Sequence, residues 1–493
     1  MKLETLIENL KYEELINFKD VEITGISYNS KTTKSGDIFV CLVGEHSDGH
    51  DYFQKAVEVG ASAFLVEKEL DCHLPQVVVN STRRQIADIA VKFYGAPSKA
   101  LNLIGVTGTN GKTIVTHLVQ KILEAKDESC ALIGTLGYKL SSKDEYKEAK
   151  HTTPQAPELQ ATLDLIRKSD VKNVVMEVSS HALEQNRVGG CVFKGAVLTN
   201  LTQDHLDYHI TMDNYFDSKA ILFKGLKPGD FAVINADDEY TQRFLDIIPE
   251  GVEVITYGVK NQADIMAKNV GFALSGAEFT CEVKNFGEQT ISQDVKLQMN
   301  GMFSVYNVLA AISVGLTLGI DLNSCVKSLA TTKGVAGRFE VVSKNPLVIV
   351  DYAHTPDGLE NVLLAAREIT PKTSKLICLF GCGGDRDATK RPKMGAIAER
   401  LSDKIVVTSD NPRSEDPQQI ITDVLTGLKS INTQTVFVEA DRKKAIELLK
   451  PISSKEDVIV IAGKGHETYQ ILKEKTIHFD DREEAKKVFL GIE

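Results

Sequence analysis

The stretch Val106-Thr107-Gly108-Thr109-Asn110-Gly111-Lys112-Thr113 narrows the possible folds more than any other part of the chain. It follows an apolar run of strand length, Leu101 to Val106, and opens a helical pattern from Lys112 to about Lys126. Glycines in such a loop let backbone amides curl around phosphate oxygens. The start of the helix presents its positive end to the anion, and the lysine and the Thr113 hydroxyl reach phosphate and Mg²⁺. The spacing is GxxGKT, with Val106 where the common phosphate loop carries its first glycine. Strand, phosphate cradle and helix in that order predict an open parallel α/β sheet that binds its ligand at the carboxyl ends of the strands.

A chain of 493 residues is too long for one core, and at roughly 150 residues per domain about three are expected. The first block, residues 1–97, alternates short β-rich runs (Asp37 to Leu42, Ala63 to Val66, Gln76 to Val79) with helical sequence such as Tyr52 to Val59, and closes at Tyr94-Gly95-Ala96-Pro97-Ser98. The second, 98–332, adds expected strands at Asn173 to Glu177, Ala196 to Thr199 and Phe231 to Asn235. The third, 333–493, begins after a stretch of small residues and repeats the alternation, with strands at Leu347 to Asp351, Lys375 to Phe380, Lys404 to Ser409, Thr435 to Val438 and Asp457 to Ala462. The fold class is therefore α/β in three domains, with a central P-loop ATPase-type parallel sheet and a C-terminal Rossmann-like domain.

A formal charge of -11 argues against broad binding to nucleic acid, so phosphate must be gripped locally. The first residues lack a basic start and an apolar core, and no run approaches the roughly 18 apolar residues of a membrane span. A cytoplasmic protein without membrane insertion is expected. The eight cysteines are scattered, and the one close pair, Cys378 and Cys382, has the wrong spacing for a zinc site, so reduced core thiols are expected.

Other polar strings follow the expected strands. Glu177 closes one and reads either as a Mg²⁺ carboxylate or as a capping acid. His205 and His209, four apart in Asn200-Leu201-Thr202-Gln203-Asp204-His205-Leu206-Asp207-Tyr208-His209, read either as metal-capable or as hydrogen-bonded structural histidines. Lys219, taken alone, reads as a helix-surface lysine. In the third block, Gly383-Gly384-Asp385-Arg386-Asp387 and Asp410-Asn411-Pro412-Arg413 each offer an arginine able to grip a carboxylate, and Gly463-Lys464-Gly465-His466-Glu467 adds an acid for a cation. Together these loops suggest an amino-acid pocket.

Read in order, TGTNGKT, MEVSSHAL, TNLTQDHLDYH, YFDSK, DYAHTPD, GCGGDRD, DNPRSEDP and GKGHE closely resemble the Mur ligases, in their diaminopimelate-adding branch, over essentially the whole chain. The resemblance implies a UDP-sugar-binding first domain, an ATP-binding central domain and an amino-acid-binding last domain. It implies ATP, a pair of Mg²⁺ ions and a CO₂-derived carbamate on Lys219 as cofactors. It further implies UDP-MurNAc-L-Ala-D-Glu and meso-diaminopimelate as substrates, and a monomer. By the same resemblance Gly108, Thr109, Asn110, Gly111, Lys112 and Thr113 hold ATP, with Asn307 at the adenine and Arg338, Asp351 and His354 closing from the third domain. Thr113, Glu177, His205 and Lys219 hold metal, and Lys112 joins the last three as catalytic residues. Ser30, Glu45, His46, Ser47, Asp48, His151, Thr152, Thr153, Ser179, Gln185 and Arg187 align with contacts to the sugar nucleotide peptide. Arg386, Asp410, Asn411, Pro412, Arg413, Gly463 and Glu467 align with the amino-acid pocket. Departures from the family pattern are Asn29-Ser30-Lys31 for Asp-Ser-Arg, His151 for Asn, and Ser304 for Asn.

The implied reaction is an amide ligation in peptidoglycan precursor synthesis. A carboxylate does not react with an amine at neutral pH, so the γ-phosphate of ATP first converts it to an acyl phosphate, which the amine then opens. Arg413 supplies a charge that diaminopimelate can use and lysine cannot, which favours diaminopimelate; meso-lanthionine keeps both carboxylates and passes the same test. The rival readings are the same ligase using L-lysine or meso-lanthionine, a folylpolyglutamate synthase-like ligase, and a P-loop nucleotide-binding regulator.

Overall fold

The computed structural model describes residues 1–492 other than 45, 46, 127, 150, 274, 285, 287–289, 333, 430, 432 and 433. The chain builds three main sheets in succession, of five, ten and six strands, each with helices against it. The first sheet runs Glu14–Ile16, Gln76–Val78, Ala63–Val66, Asp37–Val40, Gly25–Ser27, with only Glu14–Ile16 antiparallel to its neighbour.

In the second sheet the phosphate-loop strand Asn102–Thr107 lies between Gly195–Leu198 and Asn173–Glu177, parallel to both. The order continues through Cys130–Gly134 on one side and through Phe231–Asn235 and Glu253–Gly258 on the other. Every residue of Gly195–Leu198, Phe231–Asn235 and Asn173–Glu177 is buried, as expected of parallel strands covered by helices on both faces. The helix Lys112–Glu124 packs on the largely apolar helix Met302–Thr317. Gly315 permits the approach, since a Cβ there would fall 2.8 Å from Ile122 Cγ2.

This sheet is longer than the sequence reading predicts. Three antiparallel strands, Ile265–Ala273, Gly276–Val283 and Ile291–Lys296, extend one edge, and Gly137–Lys139 adds an antiparallel strand at the other. The residues of Gly276–Val283 alternate between buried and more exposed, because one face packs against helix Met302–Thr317 and the other meets solvent. A search for alternating strands and helices passes over such a segment, because its period is two and no helix follows it.

The third sheet runs Glu340–Lys344, Leu347–Asp351, Val458–Ala462, Leu376–Phe380, Lys404–Val407, Val436–Val438, parallel except at Glu340–Lys344. This is the expected doubly wound arrangement, and its strand ends face the phosphate loop. All eight cysteines are free thiols, buried or half-buried, which fits core packing for Cys378 and Cys382. Among the described residues no helix is long and apolar enough to cross a membrane.

Candidate functional site

The phosphate loop is shaped by close backbone approach. Gly108 (φ 147°) and Gly111 (φ 89°) take conformations that L side chains rarely adopt, and a Cβ on Gly108 would lie 1.8 Å from Thr199 Oγ1. Lys112 Nζ donates to the carbonyls of Gly108 and Thr109 at 2.8 and 2.9 Å, so its charge lies over the loop. Thr109 Oγ1 donates to Thr202 O at 3.0 Å, and the Asn110 amide donates to Asn200 Oδ1 at 2.9 Å.

At the end of the next strand, the buried Glu177 carboxylate accepts from Thr113 Oγ1 at 3.0 Å, Thr135 N at 3.0 Å and Thr135 Oγ1 at 3.1 Å. Its backbone carbonyl accepts from Thr153 Oγ1 at 2.9 Å, and Thr153 in turn meets Ser179, whose amide donates to Thr153 Oγ1 at 3.0 Å. Thr152 Oγ1 lies 3.1 Å from Thr135 Oγ1. Arg187 donates to Thr153 O at 3.1 Å and, through two nitrogens, to Gln185 Oε1. Thr152, Thr153, Ser179, Gln185 and Arg187 thus gather beside Glu177. His151 lies on the exposed approach to this group.

Lys219 is a core residue, 1% exposed, on the helix Met212–Lys224. Its Nζ donates to Gly108 O at 2.9 Å and sits 4.5 Å from the Tyr215 ring centre. Burial, reinforced by the positive charge of Lys112, pulls its pKa well below that of an ordinary lysine. His205 caps the short helix Leu206–His209 with φ 54°, and burial pushes its pKa down to about 3 despite the adjacent Asp204. The two histidines separate as the alternative readings allow. His209 is buried between Ser180 Oγ (2.9 Å) and Ser218 Oγ (3.3 Å), a hydrogen-bonded structural histidine, whereas His205 faces the cleft.

The third sheet closes over this site. One cleft is lined by Asn110, Gly111, Thr199 and Asn307 from the second sheet's segment and by Arg338, Asp351 and Asp357 from the third. Asn110 Nδ2 donates to Asp357 Oδ2 at 2.7 Å across the boundary. Arg338 Cζ lies over the Tyr352 ring, 4.5 Å from its centre, and the buried Nε has no hydrogen-bond partner among the described residues. Asp351 accepts from the Phe339 and Ala353 amides, and burial raises its pKa. Asp204 is the electrostatic centre of the closure: His205 Nε2 is 3.2 Å away, Lys390 Nζ 3.7 Å and His354 Nε2 3.9 Å. Burial opposes ionisation there, but these three neighbours hold its carboxyl well below the usual carboxylate range.

A second cleft joins Asp204 and His205 to Arg386, Asp410, Asn411, Arg413, Gly463 and Glu467. Glu467 Oε2 accepts from Asn411 Nδ2 and from the buried Lys464, both at 2.9 Å. Arg413 donates to Gly384 O at 2.8 Å; burial and the neighbouring Arg386 lower its pKa, so two guanidinium charges face one cavity. Pro412 is buried behind them. In the first sheet, Ser30 and Ser47 share a pocket with Tyr28, Tyr52, Lys55 and Arg83. Asp48 instead turns to His50 and Lys68, while Glu45 and His46 lie outside the described residues.

Sequence reasoning missed Asp204, Asp357, Lys390 and Lys464. Asp204, Asp357 and Lys464 stand in strings quoted above, and Asp204 and Lys464 adjoin assigned residues, His205 and Gly463. Lys390, a buried lysine, carries no local signal, because its burial is decided by residues far away in the chain.

A 2,6-diaminopimelate ligase from Bacillus cereus, named "UDP-N-acetylmuramoyl-L-alanyl-D-glutamate--2,6-diaminopimelate ligase", is 43% identical over 100% of this chain and 99% of its own length. The chain belongs to the Mur ligase family. The Mur ligase relative of the same name from Halalkalibacterium halodurans is 45% identical, covering 98% of this chain and 97% of its own. Three family models match in order: the Mur ligase family catalytic domain at 22–94, the Mur ligase middle domain at 106–315 and the Mur ligase glutamate ligase domain at 337–465. A solved Mur ligase structure described by the same name superposes with a TM-score of 0.67 at 32% identity, covering 100% of this chain and 99% of that one.

Beside the site, Thr211 N donates to His209 O at 2.7 Å around Ile210, whose φ of 68° and ψ of -48° form a three-residue turn of the strained hand. Ile210 is 70% exposed, so no packing offsets the strain of a β-branched residue there. Ile210→Gly is expected to stabilise the fold by about 1 kcal/mol, the relief of roughly 1–3 kcal/mol of strain less roughly 0.5–1 kcal/mol of glycine entropy. A thermal midpoint at or below that of the parent would contradict this reading.

Proposed function

We propose that this Mur ligase adds meso-2,6-diaminopimelate to the D-Glu carboxylate of UDP-MurNAc-L-Ala-D-Glu, converting ATP to ADP and phosphate. The observation that carries the reading is the second cleft, in which a pair of arginines and the acids Asp410 and Glu467 open directly onto His205, beside the phosphate loop. An amino acid held there presents its amine to the place where a phosphorylated carboxylate is made. The domains are 1–97 for the UDP-sugar, 98–332 for ATP and 333–493 for the amino acid, in a cytoplasmic monomer.

Mur ligases use ATP and Mg²⁺. The donor set fits that ion: Mg²⁺ takes one or two carboxylates and completes its shell with phosphate and water oxygens. The Thr113 hydroxyl and Glu177 carboxylate stand 3.0 Å apart, and among the described residues no group of three His, Cys, Asp or Glu side chains is poised to enclose a metal. When bound, the ion neutralises charge on the two anions that must meet. Thr113, Glu177 and His205 would hold it, and Lys219, as a carbamate, would hold a second.

The loop amides and Lys112 orient the ATP phosphates, with Asn307 at the adenine side and Arg338, Asp351 and His354 closing from the third domain. Arg187, with Thr152, Thr153, Ser179 and Gln185, holds the peptide end of the sugar nucleotide. His151, Ser30 and the 45–48 segment bind the remainder. A carboxylate oxygen of D-Glu attacks the γ-phosphorus as ADP leaves, giving an acyl phosphate. Arg386 and Arg413 hold the distant carboxylate of diaminopimelate, and Asp410, Asn411, Gly463 and Glu467 surround its ammonium. The free amine then attacks the acyl carbon, the carbon–nitrogen bond forms, phosphate departs and the amine loses its proton.

Lys219 has the chemistry for carbamate formation. Its depressed pKa favours the neutral amine, the form whose lone pair bonds the carbon of CO₂ with loss of one N–H proton. The product places a negative charge beside the metal, where a protonated lysine would place a positive one. Lys219→Ala is expected to abolish phosphate release, and a short-chain carboxylic acid added to the assay to restore part of it; undiminished activity would remove the carbamate from the account. In a coupled phosphate assay, the parent enzyme is expected to release phosphate only with both the sugar peptide and diaminopimelate present. Release on ATP alone would favour a nucleotide switch. Arg413→Ala is expected to lower kcat/KM for diaminopimelate by about 2–5 kcal/mol, roughly 30-fold or more, and for lysine far less. Equal losses for the two amino acids would overturn the pocket assignment.

A further inference from the structure

The third domain contains a fully buried ion pair that touches no expected substrate. Arg442 opens the helix Arg442–Ile452 and Asp481 opens the helix Asp481–Leu490, and both side chains are 0% exposed. The pair is bidentate: Arg442 Nε donates to Asp481 Oδ1 at 2.8 Å and Nη2 to Asp481 Oδ2 at 2.7 Å.

Two further N–H donors of the guanidinium go to backbone carbonyls, Ser409 O at 3.2 Å and Ala462 O at 3.0 Å. Ser409 follows the strand Lys404–Val407, and Ala462 ends Val458–Ala462. These strands flank Leu376–Phe380 without touching each other in the sheet, so no ladder hydrogen bond sets their spacing. The residue after each carbonyl, Asp410 and Gly463, lines the amino-acid cleft. A second contact points the same way. Asp410 Oδ2 and Arg442 Nη2 lie 2.5 and 3.7 Å from the point where a Cβ on Gly463 would sit, and Asp410 Oδ2 is buried with no hydrogen-bond partner among the described residues. The Asn411 amide donates to Asp410 Oδ1 at 2.6 Å, so Oδ2 alone lacks a direct donor; the guanidinium lies close behind it, and its charge offsets the cost of burying that oxygen.

We infer that Arg442, anchored by Asp481, is a positioning residue for the incoming amino acid: it fixes the separation of the Asp410–Arg413 and Gly463–Glu467 loops and supports the Asp410 carboxylate from behind. This rests on the reading of that cleft as the diaminopimelate pocket. Arg442 acts through these loops and touches no reacting atom, so its removal acts on amino-acid binding before it acts on ATP.

A buried ion pair can be replaced by apolar residues of similar volume without loss of stability, whereas removing one partner strands the other charge. This separates a positioning role from a merely structural one. The experiment compares the parent enzyme, Arg442→Met, Asp481→Asn and the double variant Arg442→Met/Asp481→Leu by thermal midpoint and by KM for each substrate. The expected result is a rise of tenfold or more in KM for diaminopimelate in both variants lacking Arg442, with KM for ATP and the sugar peptide within twofold of the parent. The double variant should recover the parent's thermal midpoint but not its KM for diaminopimelate. Asp481→Asn, which keeps the hydrogen-bonding shape, should show a smaller rise in the same constant. A double variant that recovers both midpoint and KM, or a parallel rise in all three KM values, would overturn the inference. A parent enzyme that does not turn over diaminopimelate would instead refute the reading of the pocket on which it rests.

Discussion

The carboxylate of Glu177 is the junction on which the site depends. It receives the Thr113 hydroxyl from the phosphate-loop helix and the amide and hydroxyl of Thr135 from the neighbouring hairpin, and its own carbonyl receives Thr153. A buried carboxylate is tolerable only when its lone pairs are occupied, so the three segments are held in one arrangement or the charge is stranded. Gly134 shows how closely the packing is drawn, since a Cβ there would fall 2.3 Å from Glu177 Oε1. On the proposed function, the same residue brings together nucleotide on one side and peptide acceptor on the other.

The second level of organisation is electrostatic and lies between domains. Asp204 meets His205 from its own domain and Lys390 and His354 from the third. Asn110 to Asp357, and Gln203 to Asp387 and Thr389, add hydrogen bonds from uncharged amide side chains across the same boundary. The third domain thereby brings Arg338 and Asp351 to the cleft beside Asn110 and Gly111, and the Arg413 loop to the cleft beside Asp204 and His205. On the proposed function this arrangement couples the two binding events, since the residues proposed to close over ATP belong to the domain proposed to carry the amino acid.

Much of this was legible in the sequence because several of the loops gathered at the site follow buried, largely apolar strands. The strands Asn173–Glu177, Phe231–Asn235 and Leu347–Asp351 fall where the apolar runs place them, and Glu177 stands at a carboxyl end as expected. The antiparallel extension was not legible, because one-faced strands with polar outer residues resemble loops when the search is for buried runs. Lys219 shows the other limit. Its neighbours in the sequence make it a surface lysine; only the fold of residues from Gly108 to Tyr215 around it turns it into a buried amine. Arg442 is the same case, a cation in a polar stretch whose partners Ser409, Ala462 and Asp481 lie on three other segments.

The central claim is that the phosphate loop and the acceptor side of Glu177 join a phosphoryl group to a carboxylate oxygen before any amide is made. The measurement that tests it most directly uses sugar peptide labelled with ¹⁸O in the D-Glu side-chain carboxylate, followed by mass spectrometry of the inorganic phosphate released in the complete reaction. The account predicts one labelled oxygen in each phosphate, carried over when the amine opens the acyl phosphate. Phosphate without label, accompanied by amide product, would contradict it.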